Sequence, residues 1–493
     1  MKVLVANRGE IALRIMRTCR EMGFPSIAVY SEGDRKSLPT RYADDAVCIG
    51  PTSAGESYLC IDRVLEAARA SGADAIHPGY GFLSENTAFA QAVEDAGLIF
   101  IGPKPGTIAL TGDKLAARRA ARQAGLPVLP GPDEPVSDTV PYDMANQVPF
   151  PVLVKAVAGG GGRGIRLANS QDELAQMIYA ARREAKTAFG DDSVYLEPLV
   201  SKARHIEVQI LGDGNGQVLC LGERECSIQR RRQKLIEEAP APNLSRSMRE
   251  ELHGAAIRLG KSLNYRSLGT IEFLLDEQGR YYFIEVNPRI QVEHPVTEFV
   301  TGIDLVRAQL ELAFTGKQGI TQDQIVPRGW AIEGRVLAED PEIGFLPATG
   351  EITHLFEPGG PGIRVDSALF LGAAITADYD SMIAKVIAWA ENRPAAIQRL
   401  QRGLCEFQIG GIPTDISFLL QVLASPRFMD GLADTTYLDT FVPVAPADQE
   451  DVEREVALAA AILAHQAQEH SPIKRTGAVD NWQTAAWREQ MVL

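Results

Sequence analysis

Four consecutive glycines, Gly159, Gly160, Gly161 and Gly162, followed by Arg163 and Gly164, stand between apolar segments at 151–157 and 165–168. Backbone without Cβ atoms can fold closely over phosphate oxygens and aim several N–H groups at them, although a glycine-rich hairpin is just as often a plain flexible turn. The run lacks the Gly-Lys-Ser/Thr ending of a P-loop and no helix follows it, which argues against both a Walker and a Rossmann loop. Lys155 lies four residues before the glycines inside an apolar strand, where an ammonium requires an anionic partner. Lys114 is a second cation suited to phosphate.

Glu272 and Glu285 each sit among strand-forming apolar residues, and a hairpin through 276–280 sets them side by side. Paired acids on neighbouring strands repel unless a cation lies between them, and magnesium, which binds one or two carboxylates together with nucleotide phosphates, is the natural occupant. The alternative is that each points to solvent from an edge strand. Immediately beyond, Arg289, Gln291 and Glu293 place a guanidinium, an amide and a carboxylate near the same point. The guanidinium fork suits a planar anion such as bicarbonate or a carboxylate, and Glu293 is a candidate base. His294 precedes Pro295 and reads as structural. The run Gln229, Arg230, Arg231, Arg232, Gln233, Lys234 is either a solvated face, an ion-pair partner for Glu237 and Glu238, or a cleft lining that neutralises polyphosphate.

The elements that must position these groups follow from hydrophobic pattern. A buried strand at 3–6, a turn, a helix ending near Gly23 and a strand at 26–30 form a parallel βαβ unit, which puts a ligand edge at the carboxyl ends of the strands. A strand and turn at 98–102 close a first domain near residue 112. A helix over 114–124 runs into Pro127, Pro130, Pro132 and Pro135, a boundary. Strands are expected at 151–157, 165–168, 194–197, 205–211, 217–221, 269–275 and 281–286, with helices over 171–186 and 394–407.

At 493 residues the chain exceeds one core, so three or four units with clefts between them are expected. A net charge of -15 disfavours a sequence-independent grip on nucleic acid, although local basic clusters can still bind small anions. The six cysteines form no C-x-x-C pair, which fits a reducing compartment. The first apolar run ends at Asn7, too short for a signal-peptide core or a membrane span, so a cytoplasmic protein is expected.

Taken in order, Ala6-Asn7-Arg8-Gly9-Glu10-Ile11-Ala12, His77-Pro78-Gly79-Tyr80-Gly81-Phe82-Leu83-Ser84-Glu85-Asn86, Gly112-Asp113-Lys114, the glycine run, Glu237-Glu238-Ala239-Pro240 and the stretch 289–295 closely resemble the signatures of biotin carboxylases, over nearly the whole chain to about residue 445. The resemblance implies an α/β and α+β multidomain fold. A Rossmann-like domain would span 1–112, and an ATP-grasp domain 113–330 with a mobile glycine-rich lid at about 131–200. A mixed α/β C-terminal domain would span 331–445, and a helical tail 446–493. It implies that Lys114, Lys155, Gly160, Gly161, Gly162, His205 and Gln229 hold ATP, with Glu197, Val200 and Arg232 completing the nucleotide contacts. Glu272, Glu285 and Asn287 would bind magnesium or manganese, and Lys234, Arg289, Gln291 and the backbone of Val292 would hold bicarbonate. Glu293 would deprotonate it for attack on the γ-phosphate, giving carboxyphosphate, and Arg335 would stabilise the biotin enolate. Three positions depart from the family pattern. Pro198 follows Glu197 where many relatives carry Lys, which leaves only a carbonyl for the adenine amine; Arg232 stands where many carry His; and Asp415 replaces a more usual Asn.

No biotinyl-lysine motif occurs, so the biotin carboxyl carrier protein and the carboxyltransferase are expected as separate chains, with a homodimer through the C-terminal domain. The tail, with Trp482 and Trp487, is either a docking helix for them or packed on its own domain. Acetyl-CoA carboxylase is the first expectation for the holoenzyme, with propionyl-CoA and pyruvate carboxylases as alternatives. A carboxylate–amine ligase of the ATP-grasp class would share the lysines, glycines and paired acids, but would not need Arg289, Glu293 or Arg335. A nucleotide sensor would not need Glu293.

Overall fold

Val3–Val5 (β1) leads through the amphipathic helix Gly9–Glu21 (α1) to Ser26–Tyr30 (β2), and Asp45–Cys48 (β3), Ala75–His77 (β4) and Ile99–Phe100 (β5) complete a parallel sheet in the order β3-β2-β1-β4-β5. Every residue of β1 and β4 is buried, as befits parallel strands covered on both faces. The carboxyl ends of these strands bring Asn7 beside the 78–80 turn, where its amide donates to the carbonyls of Pro78 at 2.8 Å and Tyr80 at 2.7 Å. The computed structural model describes residues 1–136, 148–157, 164–444, 457–462 and 465. Gly159, Gly160, Gly161, Gly162 and Arg163 lie outside the described residues, as do Trp482 and Trp487.

Lys114–Gln123 (α2) starts at Asp113, whose carboxylate accepts from the amides of Leu115 and Ala116. A small three-stranded antiparallel sheet follows, built from Val152–Ala156 (β6), Ile165–Ala168 (β7) and Val194–Pro198 (β8) in the order β7-β6-β8. The helix Gln171–Phe189 (α3) covers it, and Val152, Val154, Leu174, Ala181 and Leu196 make its separate core.

The largest element is an eight-stranded antiparallel sheet. Its members are Arg204–Asp213 (β9), Val218–Arg230 (β10), Gln233–Ala239 (β11), Arg266–Leu275 (β12) and Tyr281–Asn287 (β13), then Trp330–Leu337 (β14), Ile363–Ser367 (β15) and Met382–Ala390 (β16). They lie in the order β13-β12-β9-β10-β11-β14-β16-β15. Period-two alternation divides each strand between the faces. Ile206, Val208, Ile210, Ile271 and Phe273 pack against Leu252, Ala255, Ala256 and Leu259 of the helix Arg246–Ser262 (α4). His205, Glu207, Gln209, Thr270 and Glu272 therefore share the opposite face. The helix His294–Thr301 (α5) lies over that face farther along, where Val296 and Val300 meet Ala239, Ala331 and Ile387. Leu305–Thr315 (α6) joins the core that contains β1 and α1.

The expected division at residues 330–331 falls where β14 begins, and β14 is hydrogen-bonded to β11 on one side and β16 on the other. Residues 1–441 make one compact unit; in the second, 442–493, residues 457–462 are helical. No helix among the described residues is long and apolar enough to cross a membrane.

The basic run caps a two-residue hairpin between β10 and β11, with Arg231 and Arg232 both in the left-handed region at φ 50° and 66°. Ion pairing with Glu237 and Glu238 is not what the structure has. Those two carboxylates sit well down β11 from the turn and pair with Arg335 and Arg393, while Arg230 pairs with Glu339 and stacks 4.0 Å from the Phe345 ring.

Asp415 begins the helix Ile416–Ala424 (α7) and ties it to β14: its Oδ1 accepts from the Leu337 amide at 2.8 Å, and its other carboxylate oxygen is buried without a partner. Burial, reinforced by Glu339, pushes this carboxyl well above the usual aspartate range. The folded protein thus holds a proton that the unfolded chain releases above the ordinary aspartate value, and stability falls as pH climbs from there. Asp415→Asn, which cannot ionise, is expected to be more stable than the parent at neutral pH, by an advantage that grows toward about 1.4 kcal/mol per pH unit. Denaturant midpoints at pH 5 and pH 8 measure this; a variant less stable than the parent at pH 8 contradicts the neutral carboxyl.

Candidate active site

The strand register lays four charged side chains in one row. Glu285 lies opposite Glu272 on the neighbouring strand, Glu272 opposite Glu207, and Glu207 opposite Arg224, so three carboxylates stand abreast on β13, β12 and β9. Like charges in directly opposed positions are destabilising, and each carboxylate here has its own cation. The Lys114 ammonium pairs with Glu285, and the fully buried Arg224 guanidinium lies 2.5 Å from Glu207. Arg224 also reaches Gln209 and Thr297, which fixes it beneath the row.

Lys234, just past the hairpin on β11, is the hub. Its ammonium lies 2.6 Å from Glu207, 3.0 Å from Glu272 and 2.6 Å from Glu293. Glu293 is fully buried at the start of α5 and also lies 3.0 Å from the Arg335 guanidinium, which in turn grips Glu237 through Nε at 2.6 Å. Burial alone would raise Glu293, but Lys234, Arg335 and Arg224 outweigh it and hold the carboxyl well below the usual range. Glu272 is likewise held down against burial by Lys234 and His205. The same three carboxylates overcome the burial of Lys234 and raise its ammonium well above the ordinary lysine value.

Arg289 donates to Gln291 at 2.7 Å, to Asn287 at 3.1 Å and to Glu85 at 2.5 Å, so the parallel-sheet region clamps it from the far side. The Val292 carbonyl accepts from the buried Lys385 ammonium. Thus Lys234, Glu272, Glu293 and Arg335 are in direct contact, with Asn287 and Gln291 on Glu272 at 2.9 and 3.3 Å.

Among the expected nucleotide contacts, the His205 ring lies 3.0 Å from Glu272 and 2.7 Å from the Gln229 amide, whose nitrogen also donates to the Cys226 carbonyl. Glu272 outweighs burial and raises His205. Lys155 has the anionic partner its apolar strand demands, Glu197 at 2.8 Å, in the small three-stranded sheet; Val200 lies just past the end of β8. Arg232 is exposed at the hairpin tip. His294 is buried, with Nδ1 2.7 Å from the Gln291 carbonyl; burial and Lys385 keep it neutral.

Several functional neighbours have no motif of their own. Glu207, Arg224 and Lys385 are charged residues inside apolar strands, and the same alternation that singled out Glu272 and Glu285 would have marked them. Glu85 lies within a quoted signature, but its pairing with Arg289 spans 204 residues and has no local trace.

The oxygens of Glu272, Glu285 and Asn287 are hard donors on adjacent strands, a set that suits magnesium better than a softer metal. Two other groupings, His205 with Glu207 and Glu272, and Glu207 with Cys226 and Glu293, bring ligand atoms within 4.8 Å of one another, but Lys234 already lies between their carboxylates.

Three family models match the chain in order: "Biotin carboxylase, N-terminal domain" over residues 1–108, "Carbamoyl-phosphate synthase L chain, ATP binding domain" over 113–319 and "Biotin carboxylase C-terminal domain" over 333–440. A biotin carboxylase of Nostoc sp. is 49% identical over 438 residues, covering 89% of this chain and 98% of that one. A pyruvate carboxylase subunit of Methanothermobacter thermautotrophicus is 46% identical over 462 residues, covering 92% and 94%. Among solved structures, the biotin carboxylase domain dimer of Hydrogenobacter thermophilus 2-oxoglutarate carboxylase, in complex with MgADP, ADP and bicarbonate, superposes with a TM-score of 0.86 at 44% identity, covering 89% of this chain and 97% of that one.

Replacing the hub ammonium tests the electrostatic reading. Lys234→Met leaves three buried carboxylates without their shared cation and is expected to cost about 3–5 kcal/mol of folding stability at pH 7.5. Glu272 and Glu293, whose depressed values stabilise the parent above the ordinary glutamate range, then take up protons as pH falls, so the gap to the parent should narrow toward pH 5. Denaturation curves at both values measure it; a gap that does not change with pH contradicts the hub.

Proposed function

The chain belongs to the biotin carboxylase family, and on that premise we propose that it carboxylates biotin held on a separate carrier protein, using ATP and bicarbonate through carboxyphosphate. The observation that carries the reading is a buried carboxylate, Glu293, gripped by Lys234 and Arg335. In this reading Lys234, Arg289, Gln291 and the Val292 backbone hold bicarbonate. An anion on Lys234 and Arg289 draws positive charge away from Glu293, which raises the basicity of that carboxylate when a proton must be removed. The deprotonated bicarbonate attacks the γ-phosphate and ADP leaves; carboxyphosphate then splits into phosphate and carbon dioxide, and N1 of biotin, once deprotonated, attacks the carbon dioxide to give carboxybiotin. The departing phosphate takes the N1 proton, and Arg335 faces the charge that develops on the ureido oxygen.

Lys114, Lys155, His205, Gln229, Glu197, Val200, Arg232 and Gly160, Gly161 and Gly162 are assigned to ATP. Glu272, Glu285 and Asn287 are assigned to magnesium or manganese, which when bound neutralises charge on the phosphates. Pro198, which has no N–H, would meet the adenine amine through its carbonyl. The working division is 1–112, 113–330 with a lid at about 131–200, 331–445 and a tail from 446. A separate carrier and carboxyltransferase, a homodimer and a cytoplasmic setting complete the proposal. It is supported by the dimer seen in the Hydrogenobacter relative and by six cysteines that are all free. Acetyl-CoA is the acceptor proposed for the holoenzyme, with propionyl-CoA and pyruvate as the alternatives, whose carboxylases are among the relatives.

Purified protein is expected to release phosphate from ATP in a reaction that requires both magnesium and bicarbonate and is stimulated by free biotin. Glu293→Gln should lower the biotin-stimulated rate by about 10²–10⁴-fold, the range of a lost general base. Parental activity in that variant would remove Glu293 from the role.

A further inference from the structure

Glu333, on β14, is fully buried, and neither carboxylate oxygen has a hydrogen-bond partner. Directly opposite on β11 stands Glu237, itself fully buried, with Oε1 on Arg335 and Oε2 unpartnered. Ala331, Glu333 and Arg335 alternate onto the sheet face that α5 covers, so water does not reach the pair from above. Three unsatisfied oxygens on two facing carboxyls are what two carboxylates cannot tolerate, and a proton on one of them removes a buried charge and supplies a donor.

The charged surroundings agree. Lys385 on β16 stands opposite Arg335, but its ammonium is taken by the Val292 carbonyl, by Glu10 at 3.4 Å and by Asp366 of β15 at 3.9 Å. Glu293 adds a negative charge from the start of α5, and the neighbouring His294 is neutral. Burial pushes Glu333 well above the carboxylate range, with Lys385 opposing and Glu237 adding to it; burial also pushes Glu237 up, to about 7, against the pull of Arg335.

We propose that Glu333 is a positioning residue for the biotin half of the reaction: it holds the proton of a carboxyl pair shared with Glu237, and that proton limits how much of the Arg335 charge Glu237 neutralises. With both carboxyls ionised, Arg335 would face Glu237, Glu333 and Glu293 together, and its charge would be directed into the protein. With one proton in the pair, one negative charge fewer faces the guanidinium, and more of its positive charge is left toward the ureido oxygen. The inference rests on the assignment of Arg335 given above.

The test compares the full-length parent with Glu333→Gln, a permanently neutral donor, and Glu333→Leu, which has none. At pH 7 the glutamine variant should keep kcat/KM for free biotin within about twofold, and the leucine variant should lose about tenfold, while KM for ATP and the bicarbonate-dependent ATP hydrolysis without biotin stay at parental values in both. The parent should lose kcat/KM for biotin as pH rises and Glu333 ionises, and the glutamine variant should lack that alkaline limb. Equal activity in the glutamine and leucine variants, or the same alkaline limb in parent and glutamine variant, overturns the proposal. An infrared difference spectrum is independent of turnover: with Asp415→Asn present throughout to remove the other buried neutral carboxyl, the carbonyl band of a protonated carboxylic acid at pH 8 should persist in Glu237→Gln and diminish in Glu333→Gln, and an undiminished band in both overturns the pair. Absence of biotin stimulation in the parent itself would instead count against the functional reading.

Discussion

One ammonium placed among three carboxylates organises the molecule's chemistry. Lys234 touches Glu207, Glu272 and Glu293, which come from two strands and a helix start, and none of the three is near another in sequence. Taking these charges out of water is expensive, and their mutual attraction repays it only where geometry is tight and the remaining oxygens are satisfied. Arg224 below, Arg335 beside and Asn287 with Gln291 around them supply that satisfaction. The outcome is that Glu272 and Glu293, though buried, are held in the ionised form.

That arrangement depends on register. A one-residue slip of β12 against β9 would send Glu272 to the apolar face and Phe273 into the site. The core under α4 guards against this, because Ile206, Val208, Ile271 and Phe273 have nowhere else to be buried. Hydrophobic packing on one face thus sets the electrostatics of the other. The parallel sheet contributes from outside: Glu85 holds Arg289 from one side, and Glu10 approaches Lys385 from another.

Strand alternation made much of this legible in advance. Glu272 and Glu285 read as neighbours because a charged residue flanked by apolar ones in a strand must find company, and the hairpin between them is short. Lys155 demanded an anion for the same reason, and Glu197 is that anion. What stayed hidden were pairings set by distant register. The basic run looked like a partner for Glu237 and Glu238, yet the tight turn at Arg231 and Arg232 projects it away from them, and Arg335 and Arg393, about 100 and 155 residues downstream, take those places. Lys385 lay in an apolar strand with no motif around it, and only the β14–β16 register brings it alongside Arg335.

The continuity of the central sheet across residue 330 bears on how such a protein can change over evolutionary time. Family models divide the chain there, but β11 and β14 are bonded edge to edge, and Glu237 on one faces Glu333 on the other. A C-terminal portion exchanged with that of a distant relative would have to restore the β11–β14 hydrogen bonds and match the charges of the side chains that face across them. The heritable unit is therefore the whole sheet, and recombination that respects it has to occur at its outer edges or in the small three-stranded sheet, whose core is its own.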